Sequence, residues 1–148
     1  MHIETQFSIF MTNKPGILAN ILAELAKARI NILALTVMDS VEHGVLRVVG
    51  GSRENIRKLL EGCNLTFNET DVLCVNLPNK AGAFADVTHK LARAHINISY
   101  AYCTAGARGG RTTGILKVTD VKKAIKVLKS PAKKTARPIT KRAPAKRK

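Results

Sequence analysis

Two short stretches of this chain carry polar groups suited to gripping a small zwitterion, and both occur twice. Asn13-Lys14-Pro15-Gly16 returns as Asn79-Lys80-Ala81-Gly82, and Ile30-Asn31-Ile32 returns as Ile96-Asn97-Ile98, each after a step of 66 residues. The start of a helix exposes unpaired N–H groups and a partial positive charge, so it can hold a carboxylate without any charged side chain. In the first copy the predicted donors are Gly16, Ile17 and Leu18. Asn13 adds an amide, and Asn31, at the head of the next strand, offers one group able to meet both ammonium and carboxylate. In the second copy the same roles fall to Asn79, Gly82, Ala83, Phe84 and Asn97. Gly16 lets a ligand approach the backbone, and Pro15 sets the helix start without needing an N–H. Asn and Gly are also ordinary residues at helix starts. What favours a site is that both copies keep the two asparagines together with the glycine.

The elements that must position these groups follow from periodicity. Phe7, Ile9 and Met11 alternate along Ile3 to Met11, as in a strand with one buried face. Ile17, Leu18, Ile21, Leu22 and Leu25 form one helical stripe running to about Arg29. Asn31 to Met38 and Val45 to Val49 read as a hairpin. A second helix carries Ile56, Leu59 and Leu60, and Leu65 to Glu69 is a short last strand. The second copy repeats this order: Val72 to Leu77, a helix over Ala81 to Ala94, Asn97 to Thr104, Thr112 to Val118, and a helix from Asp120. Matching Gly44-Val45-Leu46-Arg47-Val48 to Gly114-Ile115-Leu116-Lys117-Val118 gives a step of 70, so the second hairpin is expected to have gained four residues within Ala105 to Arg111. No clear last strand follows the fourth helix. If it is absent, Val72 to Leu77 keeps an open edge for another chain or the tail.

The order strand, helix, strand, strand, helix, strand predicts an α+β fold: two ferredoxin-like βαββαβ sandwiches, the second lacking a clear last strand. The units span residues 1–69 and 70–129. Residues 130–148 form a basic Lys/Ala/Pro-rich tail, predicted to be disordered. Units of about 65 residues bury little surface alone, so packing together or dimerising should stabilise them.

Strand, then Asn-Lys-Pro-Gly-Ile-Leu, then helix, then Ala-Arg-Ile-Asn-Ile, repeated in register over residues 3–129, resembles tandem ACT domains, which are small amino-acid-sensing modules. The resemblance implies a non-enzymatic allosteric regulator. A free amino acid would bind between the strand-to-helix loop and a neighbouring ACT unit, in a homodimer, with a metabolic enzyme or regulator as partner. Some amino-acid-binding relatives end the first strand with a polar residue that touches the ligand. Here Met11 and Leu77 stand there, which suits a branched-chain, sulfur-containing or aromatic effector better than serine.

The formal net charge is +15, yet eight of the 25 basic residues lie between Ser130 and Lys148, where there is no Asp or Glu. The rest of the chain carries a net charge of +7. The alternative reading is a dimerising scaffold whose tail binds nucleic acid or another polyanion weakly and without sequence preference. An RNA-recognition motif shares the strand order but stacks bases on aromatics, and Val45 to Val49 and Ile115 to Val118 contain none. Tyr100 and Tyr102, on one face of a strand, are expected to pack against the partner sheet.

Ala105 to Arg111 has the glycines and arginines of a phosphate loop but no P-loop Lys-Ser/Thr, so a hairpin tip is expected. Cys63, Cys74 and Cys103 have no ligand spacing and read as small apolar filler in a reducing compartment. The histidines lack metal spacing, and no nucleophile sits beside a base. No cofactor, metal site or enzymatic activity is expected. The N-terminal residues have neither a basic region nor an apolar run, and no stretch is long enough to span a bilayer, which predicts a cytoplasmic protein without membrane contact.

Overall fold

The structure, a computed structural model, describes residues 1–39, 43–104 and 110–130. All of the tail beyond Ser130, and most of the Gly-rich run Ala105 to Arg111, lie outside the described residues. The elements are β1 (His2–Thr12), α1 (Ile17–Lys27), β2 (Ile32–Asp39), β3 (His43–Gly50), α2 (Arg53–Gly62), β4 (Thr66–Pro78), α3 (Ala83–Arg93), β5 (Ile98–Cys103), β6 (Arg111–Val118) and α4 (Val121–Lys129). The six strands form one antiparallel sheet in the order β2-β3-β1-β4-β6-β5. This is the expected α+β architecture, with the two sandwiches joined edge to edge.

The joint is β4. Sequence patterning gave two strands, Leu65 to Glu69 and Val72 to Leu77, but Thr66–Pro78 is a single strand of 13 residues. The polar Thr70 and Asp71 stay extended because β1 pairs with them, Gln6 opposite Thr70 and Thr5 opposite Asp71. The boundary between residues 69 and 70 therefore falls inside one strand. That strand serves as the last of the first unit and the first of the second. The open edge expected at Val72 to Leu77 is also partly filled, since Glu4, Ile3 and His2 pair with Val72, Leu73 and Cys74. The start of β1 takes the place of the missing last strand.

Strand pairing also corrects the hairpin count. Ile9 lies opposite Leu46 in the first unit, whereas its counterpart Val75 lies opposite Gly114. The step between β3 and β6 is therefore 68 rather than 70, and the helix N-caps Ser52 and Asp120 keep that step. The hairpin gained two residues, not four. A slip of two returns every side chain to the same face, so alternation alone could not detect it.

Each pair of helices covers one core. Phe7, Ile9, Leu46 and Val48 pack beneath Leu25, Ile56 and Leu60; Leu73, Val75 and Leu116 pack beneath Val87, Leu91 and Ala124. Glu69 ties α2 to β4, accepting hydrogen bonds from Arg53 Nε at 2.7 Å, Arg57 Nε at 2.6 Å and Arg57 Nη2 at 2.9 Å. The Arg57 hydrogen bond, with help from Arg53, holds the Glu69 carboxyl below the usual carboxylate range.

The sheet face opposite the four described helices closes on itself. Arg47 on β3 and Tyr100 on β5 are four strands apart, roughly 19 Å on a flat sheet, yet the Arg47 guanidinium carbon lies 3.9 Å from the Tyr100 ring centroid. The sheet must be rolled, with this face inside. Ala34, Val49, Val72, Cys74 and Ile115, drawn from four strands, are buried there together, with Tyr102 packed on them. Gln6 is wholly buried. Its Nε2 donates to Tyr100 OH at 2.7 Å and Ser8 Oγ at 3.2 Å, and its Oε1 accepts from Tyr102 OH at 3.0 Å. The tyrosine pair thus packs across the sheet against the other repeat, as expected. Of the cysteines only Cys74 is filler, its thiol pushed up to about 11 by burial; Cys63 and Cys103 are exposed.

Two outcomes follow from this packing. Because β1 and β4 bind the units together, Leu60→Ala and Leu91→Ala, each costing about 2–5 kcal/mol, should lower one common unfolding transition in denaturant rather than split it. Glu69 has a folded pKa below its unfolded value, so its stabilisation is complete above the unfolded pKa and disappears as pH falls through the folded one. Glu69→Gln should therefore lower the urea midpoint at pH 7, and the difference from the unmodified protein should shrink as pH falls below the usual carboxylate range.

Candidate functional site

Both strand-to-helix loops have the same backbone. Gly16 and Gly82 sit at φ +88° and +86°, in the left-handed region that only glycine enters without cost, immediately before α1 and α3. The helices therefore begin at Ile17 and Ala83, with Pro15 and Gly16 in the preceding turn instead of inside the first turn. A Cβ at either glycine would meet nothing within 4 Å. Glycine is required here by the backbone angle, and the space outside it is open.

The amide protons proposed as donors are partly used. Ile17 N–H donates to Lys14 O and Ala83 N–H to Lys80 O, both at 3.3 Å, closing the same turn in each repeat. Among the described residues no backbone hydrogen bond engages the N–H of Gly16 or Leu18, or of Gly82 or Phe84. The N-cap residues, being glycines, have no side chain with which to cap either helix. Two N–H groups per loop thus have no backbone acceptor among the described residues, at the positive end of an 11-residue helix.

In the second repeat the loop borders a cleft of about 360 Å³, within the range of small-molecule sites. Leu77, Pro78, Asn79, Lys80, Ala83 and Phe84 form one side, and Cys103, Thr104 and Thr112 from the β5–β6 hairpin form the other. The loop is pinned to that hairpin by Asn79 N–H donating to Gly110 O at 2.8 Å. Phe84 leans on β6 where Gly114 leaves room: a Cβ there would come within 3.2 Å of Phe84 Cε2. Thr112 Oγ1 donates to Thr104 O, and Thr113 N–H to Thr104 Oγ1 at 3.0 Å, so the hydroxyls are held in place. The cleft thus combines a cation at Lys80, two oriented hydroxyls and apolar walls, beside the start of α3. That set can take a carboxylate at one end and an aliphatic or aromatic side chain at the other.

Of the ten residues expected at the sites, Asn79, Ala83 and Phe84 line this cleft, with Gly82 setting the turn beside it. Asn97 does not join them. Asn79 precedes α3 and Asn97 follows it, so the two bracket an 11-residue helix about 16 Å long. Asn13 and Asn31 bracket α1 in the same way. Both strand-start asparagines are exposed. The other repeat does not supply the missing group either. The sheet register puts Asn31 level with about residue 72 of β4, some seven residues or roughly 23 Å short of the second loop. By the same count Asn97 stops level with about residue 6 of β1, equally short of the first loop. Cys103, Thr104 and Thr112 were not foreseen, because only the register of β6 against β4 brings the hairpin under the loop.

No helix among the described residues is long and apolar enough to cross a membrane. The profile of the ACT domain pair matches residues 1–133. Among solved structures, the chain is similar to protein BT0572 from Bacteroides thetaiotaomicron, with 31% identity over 86% of this chain and 87% of that one and a TM-score of 0.79. It shares its fold with the ligand-free regulatory subunit of aspartate kinase from Thermus thermophilus, at 13% identity over 86% and 95% of the two chains and a TM-score of 0.63. The same holds for the aspartokinase alpha and beta subunits, at 20% identity over 86% and 95% and a TM-score of 0.57. No curated protein matches the sequence. Two βαββαβ units sharing one sheet, with a matching glycine turn before the first helix of each, place this chain in the ACT domain pair family.

Proposed function

We propose that this ACT domain pair is a non-enzymatic sensor that binds a free amino acid and passes its occupancy to a partner protein. The observation that carries the reading is the cleft at the second loop, where Lys80 and the hydroxyl-bearing Thr104 and Thr112 share the lining with the apolar Leu77 and Phe84 beside the start of α3. A regulatory subunit of aspartate kinase shares the fold, which supports a metabolic enzyme as the kind of partner. The three free cysteines are in keeping with action in the cytoplasm.

The separation of the asparagines gives the site its assembly. If Asn79 and a strand-start asparagine both touch one ligand, the second group comes from another copy of the chain, because neither repeat of the same chain brings one within reach. The effector site is therefore an interface of a homodimer. Ligand bound there favours the paired arrangement, and by linkage the partner that reads that arrangement alters ligand affinity in return. An apolar or aromatic amino acid fits the walls.

Titration calorimetry with the twenty amino acids should give heat with one or a few apolar members at millimolar concentration or below; no heat and no thermal shift with any of them would overturn the reading. Asn79→Ala with Thr112→Val should weaken binding at least about tenfold, the loss of one or two hydrogen bonds, with the melting temperature within a few degrees. The assembly has its own test. Asn13→Ala/Asn79→Ala chains and Asn31→Ala/Asn97→Ala chains should each fail to bind, and mixing them should restore binding if sites are shared between copies. A site built within one chain would gain nothing from mixing.

A further inference from the structure

Helices α2 and α4 occupy equivalent places in the two repeats, each N-capped after the third strand of its unit and packed on the same face of the sheet. Their charge is not equivalent. On α2, Arg53 and Arg57 share the Glu69 carboxylate, each at 2.6 Å, and Lys58 lies 3.4 Å from Glu54. On α4, Lys122, Lys123, Lys126 and Lys129 are all exposed, and among the described residues none pairs with a carboxylate. The acid that β4 lends to α2 has no counterpart for α4. From Val121 to Lys148 there are twelve Lys or Arg and no Asp or Glu.

Helix stability does not account for these lysines. Lys126 and Lys129 complement the negative end of the helix dipole, but Lys122 and Lys123 stand in the first turn, where a positive charge opposes it. We propose that α4 is a docking surface for double-stranded nucleic acid, gripped through its phosphates.

Three observations favour this partner over others. The apolar side of α4, Val121, Ala124, Ile125 and Leu128, is packed into the second core, so no greasy face is left to enter a bilayer beside the lysines. No aromatic residue occurs between Asp120 and Lys148, which leaves nothing to stack unpaired bases or to anchor a protein interface. What remains is a run of cations, whose affinity comes from counterion release and is greatest on the dense charge of a duplex. Binding should be insensitive to sequence and steeply dependent on salt.

The test is fluorescence anisotropy of the full chain with a labelled duplex of about 20 base pairs, titrated between about 50 and 200 mM salt. Replacing all four α4 lysines with glutamine keeps good helix formers in place. It should reduce the slope of log affinity against log salt by about 0.9 for each lysine engaged, two to four in all. The double control Lys27→Gln/Lys58→Gln should leave the slope unchanged. The fourfold variant should melt within a few degrees of the unmodified protein and keep its amino-acid titration, which separates this surface from the sensing site. An unchanged slope in the fourfold variant would overturn the proposal by assigning binding to the tail alone. So would absence of duplex binding at the lowest salt, or capture by phosphatidylserine vesicles in preference to the duplex.

Discussion

The antiparallel pairing of β1 with β4 is the constraint on which the rest of the molecule depends. Nine residue pairs run from His2 opposite Cys74 to Phe10 opposite Thr66, and through them one strand belongs to both repeats. That pairing supplies the edge the second unit lacks. It sets an approximate twofold relation between the units, and it sends the two glycine loops to opposite ends of the sheet. A chain of this size divided into two separate sheets would leave each with a core near the lower limit of stability.

Rolling the sheet completes what the joint begins. With no helix among the described residues on its second face, a flat six-stranded sheet would expose Val49, Val72 and Ile115 to water, yet each is fully buried. The cover comes from the sheet itself, with Tyr100 and Tyr102 reaching from the β5 edge to Gln6 on β1. Gln6 is the one buried polar side chain among the described residues, and its amide is satisfied on both sides. A buried amide costs little when every group is bonded and a good deal when one is not, so this contact also fixes how the two edges meet.

Much of this was legible in the residues. The repeated Asn-Lys-Pro-Gly and Ile-Asn-Ile motifs gave the unit, its order of elements and the glycine turns, because these depend on local backbone chemistry and on alternation of period two. What was missed depends on pairing between distant strands. Thr70 and Asp71 look like a break until Thr5 and Gln6 hold them straight. A hairpin slip of two residues preserves every face and leaves no mark in the hydrophobic pattern. The candidate cleft shows the same division: Asn79, Ala83 and Phe84, expected from local sequence, line it, whereas Thr104 and Thr112 enter its lining through β6 register, and the distance between Asn79 and Asn97 is a property of the fold alone.

In the proposed sensing role, the loop supplies a defined backbone turn, and a second copy of the chain would bring the strand-start asparagine that the fold holds away from it. The most direct measurement is a crystal structure grown with the amino acid that gives the strongest heat of binding. Its carboxylate should lie against the amides of Gly82 and Phe84, with Asn31 or Asn97 of another copy on the ammonium group. A ligand lodged elsewhere, or held in that cleft by the residues of one chain only, would contradict that arrangement.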